Sequence, residues 1–107
     1  MIANTPKPPY YAVIFSSIST ERTHEYIDTS NKMLELAKNQ QGYLGVESAR
    51  NQLGITVSYW KDLESIKNWK QNSDHLIAQQ KGRAEWYKAY KSRIALVEKE
   101  YEFSQDQ

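Results

Sequence analysis

A chain of 107 residues, 39% hydrophobic and 25% charged, is long enough for one core and too short for two domains. Its formal net charge of +1, with basic and acidic side chains interspersed, excludes the basic stripe by which nucleic-acid binders are usually recognised. It has no cysteine, which rules out disulfides, thiolate metal sites and a cysteine nucleophile. No apolar run approaches the ~20 residues a bilayer span needs, so the expectation is a soluble, cytoplasmic protein with neither nucleic-acid nor membrane partners.

Residues 1–9, "MIANTPKPP", hold all three prolines and no hydrophobic stretch. They read as an extended, loosely ordered lead-in rather than a signal peptide. A single domain is expected over 10–103, with 104–107 as a tail. "YYAVIFSSI" (10–18) is rich in β-branched and aromatic residues and reads as a strand buried on both faces. Thr20 or Thr23 could cap a following helix. There Tyr26, Ile27, Ser30, Met33, Leu34 and Ala37 share one stripe and Gly42 is the breaker. "YLGVESAR" (43–50) and "LGITVSYW" (53–60) read as a hairpin across "RNQ".

Asp62 can cap a short helix carrying Leu63, Ile66 and Trp69 on its inner face. "QNSD" (71–74) then reads as an interruption, with Ser73 capping a third helix. One face of that helix would hold Leu76, Ile77, Gln80, Ala84 and Tyr87, and an adjacent face His75, Gln79, Gly82 and Trp86. "SRIALVEKEYEF" (92–103) alternates as a last strand. The resulting order is the ferredoxin-like βαββαβ arrangement, an α+β fold with a four-stranded antiparallel sheet and helices on one face. The other face is apolar and uncovered, and the economical cover is a second copy, so a homodimer through the open sheet face is expected.

Chemistry-bearing residues concentrate in 58–90. Trp60, at a strand end, is a core residue, whereas Trp69 can serve core and pocket alike: its ring packs while its N–H needs a partner. His75 reads as a surface or capping residue, or as a pocket base. It shares a helix face with Gln79 and Trp86, and its ordinary pKa suits proton transfer near neutrality. His24 reads as solvated. Gln80 and Arg83 interrupt an apolar face and could meet a ligand, Arg83 as an oxyanion partner or simply as a snorkelling side chain. Ser16 or Ser17 should face a pocket, and Tyr59, Tyr87 and Tyr90 could donate to a substrate carbonyl. No phosphate loop, nucleophile elbow or helical His pair is present, and two distant histidines make no metal site.

"SYWKDLESIKNWKQNSDHLIAQQKGRAEWYKAYKSRIALVEKEYEF" (58–103) runs from a strand ending in Tyr-Trp through a Trp nine residues later to Glu-Trp-Tyr and a long last strand. It resembles the antibiotic biosynthesis monooxygenase family of the dimeric α/β barrel superfamily. "AVIFSSI" and "GYLGVESAR" are similar to that family's first two strands. The resemblance implies a homodimer with a pocket in each subunit between sheet and helices. One branch of the family oxidises phenols with oxygen and no cofactor; another degrades haem.

This chain departs from the haem pattern. Ser16 or Ser17 stands where the first-strand Asn would be, and the ligand slot falls at Gln79 or Gln80, whose amides bind iron poorly. The expected function is therefore a cofactor-free monooxygenase of a small aromatic or phenolic molecule, with Trp69 and His75 catalytic. Ser16, Ser17, Tyr59, Gln79, Gln80, Arg83 and Trp86 would bind substrate. The alternatives are a non-catalytic or stress-associated protein that holds a small hydrophobic ligand, and a haem binder.

Overall fold

β-Branched and aromatic residues between the Pro8–Pro9 pair and Thr20 form the first strand, β1 (Tyr10–Ser19), of the computed structural model, which describes residues 1–20, 24–79 and 87–105. There follow α1 (His24–Lys38), β2 (Tyr43–Arg50), β3 (Gly54–Trp60), α2 (Leu63–Gln79) and β4 (Tyr87–Val97). The strands lie in the order β2-β3-β1-β4 and every neighbouring pair is antiparallel. This is the expected split βαβ topology.

Strand alternation sorts the side chains. Tyr11, Val13, Phe15 and Ser17 of β1 face the helices, in register with Trp60, Ser58, Thr56 and Gly54 of β3. Across the sheet Val46, Ser48 and Arg50 of β2 and Leu96, Ile94, Ser92 and Tyr90 of β4 continue the same rows. The core gathers where α1 ends and α2 begins. Fully buried Trp60 packs there with Ala37 and Ile66, flanked by Tyr11, Val13, Tyr43 and Trp69. Its indole N–H donates to Ser58 Oγ at 2.9 Å, so burying the ring leaves no orphan donor.

Two turns fix how the helices meet the sheet. Gly42 has φ +89°, a left-handed conformation that ends α1's exit turn. A Cβ there would lie 2.0 Å from Ser65 Oγ, so the position excludes a side chain on steric grounds as well. Asp62 caps α2 as expected, its Oδ1 accepting from the Ser65 N–H at 2.8 Å and from the Ser65 hydroxyl at 2.6 Å. Those two bonds hold its carboxyl below the usual aspartate range.

The structure corrects several expectations. The 71–74 stretch does not interrupt the second helix. Ser73 Oγ donates to the Lys70 carbonyl, Asn72 reaches across to Gln40, and Asp74 pairs with Lys70 at 3.1 Å. Asn72, Ser73 and Asp74 are thus engaged without taking an N–H from the helix. His75 therefore lies well inside α2 rather than at a helix start. Leu63, in α2's first turn, is exposed rather than packed. Tyr87 opens β4 instead of closing a helix, and β4 ends at Val97 rather than 103. Its partner β1 starts at Tyr10, opposite Val97, and the two prolines before it offer no N–H to continue the ladder.

The lead-in, expected to be loose, is tied down. The Ala3 N–H donates to Glu47 at 2.8 Å, and Thr5 bonds both Tyr10 and Glu100. No helix is long and apolar enough to cross a membrane among the described residues.

Candidate functional site

Between the helix-facing side of the sheet and the two helices lies a cavity of about 600 Å³. That volume falls in the range of small-molecule sites. Its walls follow from the two periodicities. The α1 stripe of Ile27, Ser30, Met33, Leu34 and Ala37, read from 3.6-residue spacing, lines one side. Ile66, Trp69 and Ser73, at helical spacing on α2, line the other.

The floor is graded from one end of the sheet to the other. Next to the buried core, Trp69 stacks on Trp60 with centroids 5.9 Å apart and planes at 21°. Trp69 is half-buried, and its N–H has no hydrogen-bond partner among the described residues. The middle of the floor carries hydroxyls: Ser58, then Ser48, Thr56 and Ser92 in one row with Phe15. At the far end Phe15, Tyr87 and Tyr90 form a cluster with centroids 5.4–5.6 Å apart. In the last row stands Arg50, which donates to the buried Ser17 hydroxyl and, at 3.4 Å, to Ser19 Oγ.

The expected site residues separate accordingly. Trp69 lines the cavity, as do Tyr87 and Tyr90. Ser17 faces the helices, where it anchors Arg50, whereas Ser16 faces the opposite side of the sheet, in register with Ile55 and Lys91. Tyr59 also points away from the cavity. Its hydroxyl donates to Glu47 at 2.8 Å and its ring meets Tyr10 edge-on at 5.8 Å. Burial, then the Glu47 carboxylate, push its phenol up to about 12. His75 is exposed on α2 and is not part of the cavity wall. Gln79 is the last residue of α2, and Gln80, Arg83 and Trp86 lie outside the described residues. Among the described residues no three His, Cys, Asp or Glu side chains cluster as metal ligands.

Arg50 and the hydroxyl row were missed from the sequence. The signal was present for Arg50: period-two alternation puts it on the same face as Val46 and Ser48. An arginine closing an apolar face beside the Gly54 turn was worth notice.

The class these observations define is a ferredoxin-like α+β domain with a cavity between its sheet and its two helices. Residues 9–81 match the antibiotic biosynthesis monooxygenase family, and the chain belongs to that family. It is 44% identical to the uncharacterized protein YqjZ of Bacillus subtilis strain 168 over 107 residues, 98% of this chain and 94% of that one. Among solved structures it is similar to PA3566 from Pseudomonas aeruginosa, with TM-score 0.65 at 13% identity over 90% of this chain and 99% of that one. It is also similar to SnoaB from Streptomyces nogalater, a cofactor-independent oxygenase, with TM-score 0.59 at 7% identity over 94% of this chain and 100% of that one. Identities this low speak to the fold alone.

Proposed function

We propose that the protein is a cofactor-independent monooxygenase of a small aromatic or phenolic molecule, bound in the cavity between sheet and helices. The observation that carries this reading is the cavity itself, about 600 Å³, its helix walls largely apolar, and bordered by the half-buried Trp69, whose N–H has no hydrogen-bond partner among the described residues. A flat ring stacks against such a wall while its oxygens meet the floor hydroxyls. In the reaction, an acidic methylene of the substrate loses a proton and the carbanion is oxidised by O2. One oxygen atom becomes the new carbonyl and the other leaves as water with both methylene hydrogens.

Trp69 orients the ring and donates to the developing oxyanion. His75, outside the cavity wall, is not assigned a step. The family and the likeness to SnoaB support the reaction class. The unit of action is a cytoplasmic homodimer joined through the open sheet face, where Ile14 and Val57 are half-covered and Ile18 and Ile55 exposed.

The test is oxygen uptake by metal-stripped protein with a set of anthrones, which carry the acidic methylene the step needs. The expected result is uptake that Trp69→Ala lowers by about tenfold or more, matching the loss of one oxyanion donor, while His75→Ala retains it. Binding of these compounds without oxygen uptake would refute the oxygenase and favour a ligand-holding role.

A further inference from the structure

Arg50 is a cation built into the sheet side of the cavity, among apolar and hydroxyl-bearing neighbours, while Lys70 and Asp74 line it from α2. Its guanidinium is seated by two neutral hydroxyls, buried Ser17 and Ser19, and lies across Gly54, where a Cβ would stand 2.1 Å from Nη2. The absence of a side chain at Gly54 makes that seat possible. Among the described residues no carboxylate pairs with Arg50. The acidic residue among the described lining, Asp74, is held by Lys70 at 3.1 Å on α2. A charge positioned by hydroxyls, with no carboxylate partner among the described residues, is poised for an anion from outside, and the planar fork suits an oxyanion. The aromatic cluster of Phe15, Tyr87 and Tyr90 adjoins it in the same corner, Tyr90 standing opposite Ser17 in the β-ladder.

We infer that the cavity selects an anionic aromatic, with the ring system between Phe15 on the sheet floor and Trp69 on the α2 wall, and a carboxylate or ionised phenol on Arg50. The inference rests on the reading of this cavity as the ligand site and specifies the class of ligand it takes. It assigns Arg50 as the specificity-determining residue, with Ser17 positioning it and Gly54 making room.

The experiment measures binding rather than turnover. Quenching of tryptophan fluorescence is titrated with anthraquinone-2-carboxylate and with its neutral carboxamide at low salt. A phenolate arm uses 2-hydroxyanthraquinone above and below its phenol pKa. Wild type should bind the carboxylate about tenfold more tightly than the amide, the scale of one charge-assisted hydrogen-bond pair. Arg50→Gln should abolish that preference while leaving amide affinity within about twofold. Gly54→Ala keeps the charge but displaces the guanidinium from its seat, and should reduce the preference several-fold with an unchanged circular dichroism spectrum.

Equal wild-type affinity for acid and amide would overturn the inference while leaving the cavity as a ligand site. So would a preference that survives in Arg50→Gln. Failure of every probe to bind wild type would remove the cavity reading and the inference together. Anion-selective binding with no oxygen uptake would sink the oxygenase and uphold Arg50.

Discussion

Trp60 and Trp69 stack on each other, yet replacing each by phenylalanine should have different consequences. Trp60 is fully buried and donates to Ser58; Trp69 is half-buried and makes no hydrogen bond among the described residues. In Trp60→Phe the lost ring atoms remove roughly 40 Å² of buried apolar area, about 1 kcal/mol. They leave a void of about 40 Å³, worth about another 1 kcal/mol at the usual cavity cost. Losing the bond to Ser58 adds about 0.5–1 kcal/mol, since Ser58 borders the cavity and can rebind water. The sum is about 2–3 kcal/mol, a large share of the ~5–15 kcal/mol typical of a domain, and lowers Tm by on the order of 10–20 °C. Trp69→Phe, retaining half its wall and losing no internal bond, should cost about 1 kcal/mol or less. Urea unfolding followed by far-ultraviolet circular dichroism reads both, with m unchanged in each. A Trp60→Phe protein within about 0.5 kcal/mol of wild type, or a Trp69→Phe protein equally damaged, would refute this division between core and wall.

Gly42→Ala should destabilise by about 2–4 kcal/mol, combining the left-handed backbone penalty with the clash against Ser65; a melt matching wild type would contradict the turn described. Tyr59 gives a pH prediction. Its folded pKa of about 12 exceeds the unfolded value of 10.0, so between those limits the unfolded chain binds fewer protons and stability falls as pH rises. Discounted for the water this phenol retains, the loss is about 1–2 kcal/mol. The difference in urea midpoint between about pH 9 and about pH 11 should shrink in Tyr59→Phe, and an equal difference in both proteins would refute the assignment. For the homodimer, Ile55→Lys places a charge on the open face and should convert a two-chain mass in light scattering to a one-chain mass. A one-chain mass for wild type would end that proposal.

The fold was readable because local signals agreed with one another. The α1 stripe, the Asp62 cap, Gly42 and the alternation of 43–50 each fix one element, and only the split βαβ order satisfies them together. Errors arose where a local signal competes with tertiary partners. "QNSD" looks like a break because its side chains can capture backbone groups, yet Gln40 and Lys70 engage them first and the helix runs on.

The candidate site was less legible, for a related reason. A pocket residue is defined by which face of its element it occupies and by what lies across from it. Face can be read from alternation, which separates Ser17 from Ser16 once the register is known. The partner across the sheet cannot. Arg50 becomes a candidate only when antiparallel pairing brings Gly54 beneath its guanidinium and, beside it, Ser17, 33 positions from Arg50 in the chain. Tyr59 shows the converse: a tyrosine next to Trp60 suggests a pocket by proximity in sequence, but one residue of displacement along a strand sends it to the face where Glu47 and Tyr10 wait. An arginine with no carboxylate partner among the described residues is therefore the more informative marker here than aromatic content. Aromatic rings stabilise either face of this sheet, whereas a guanidinium, always charged, that sits on neutral hydroxyls with no carboxylate partner among the described residues leaves its charge for an anion to meet.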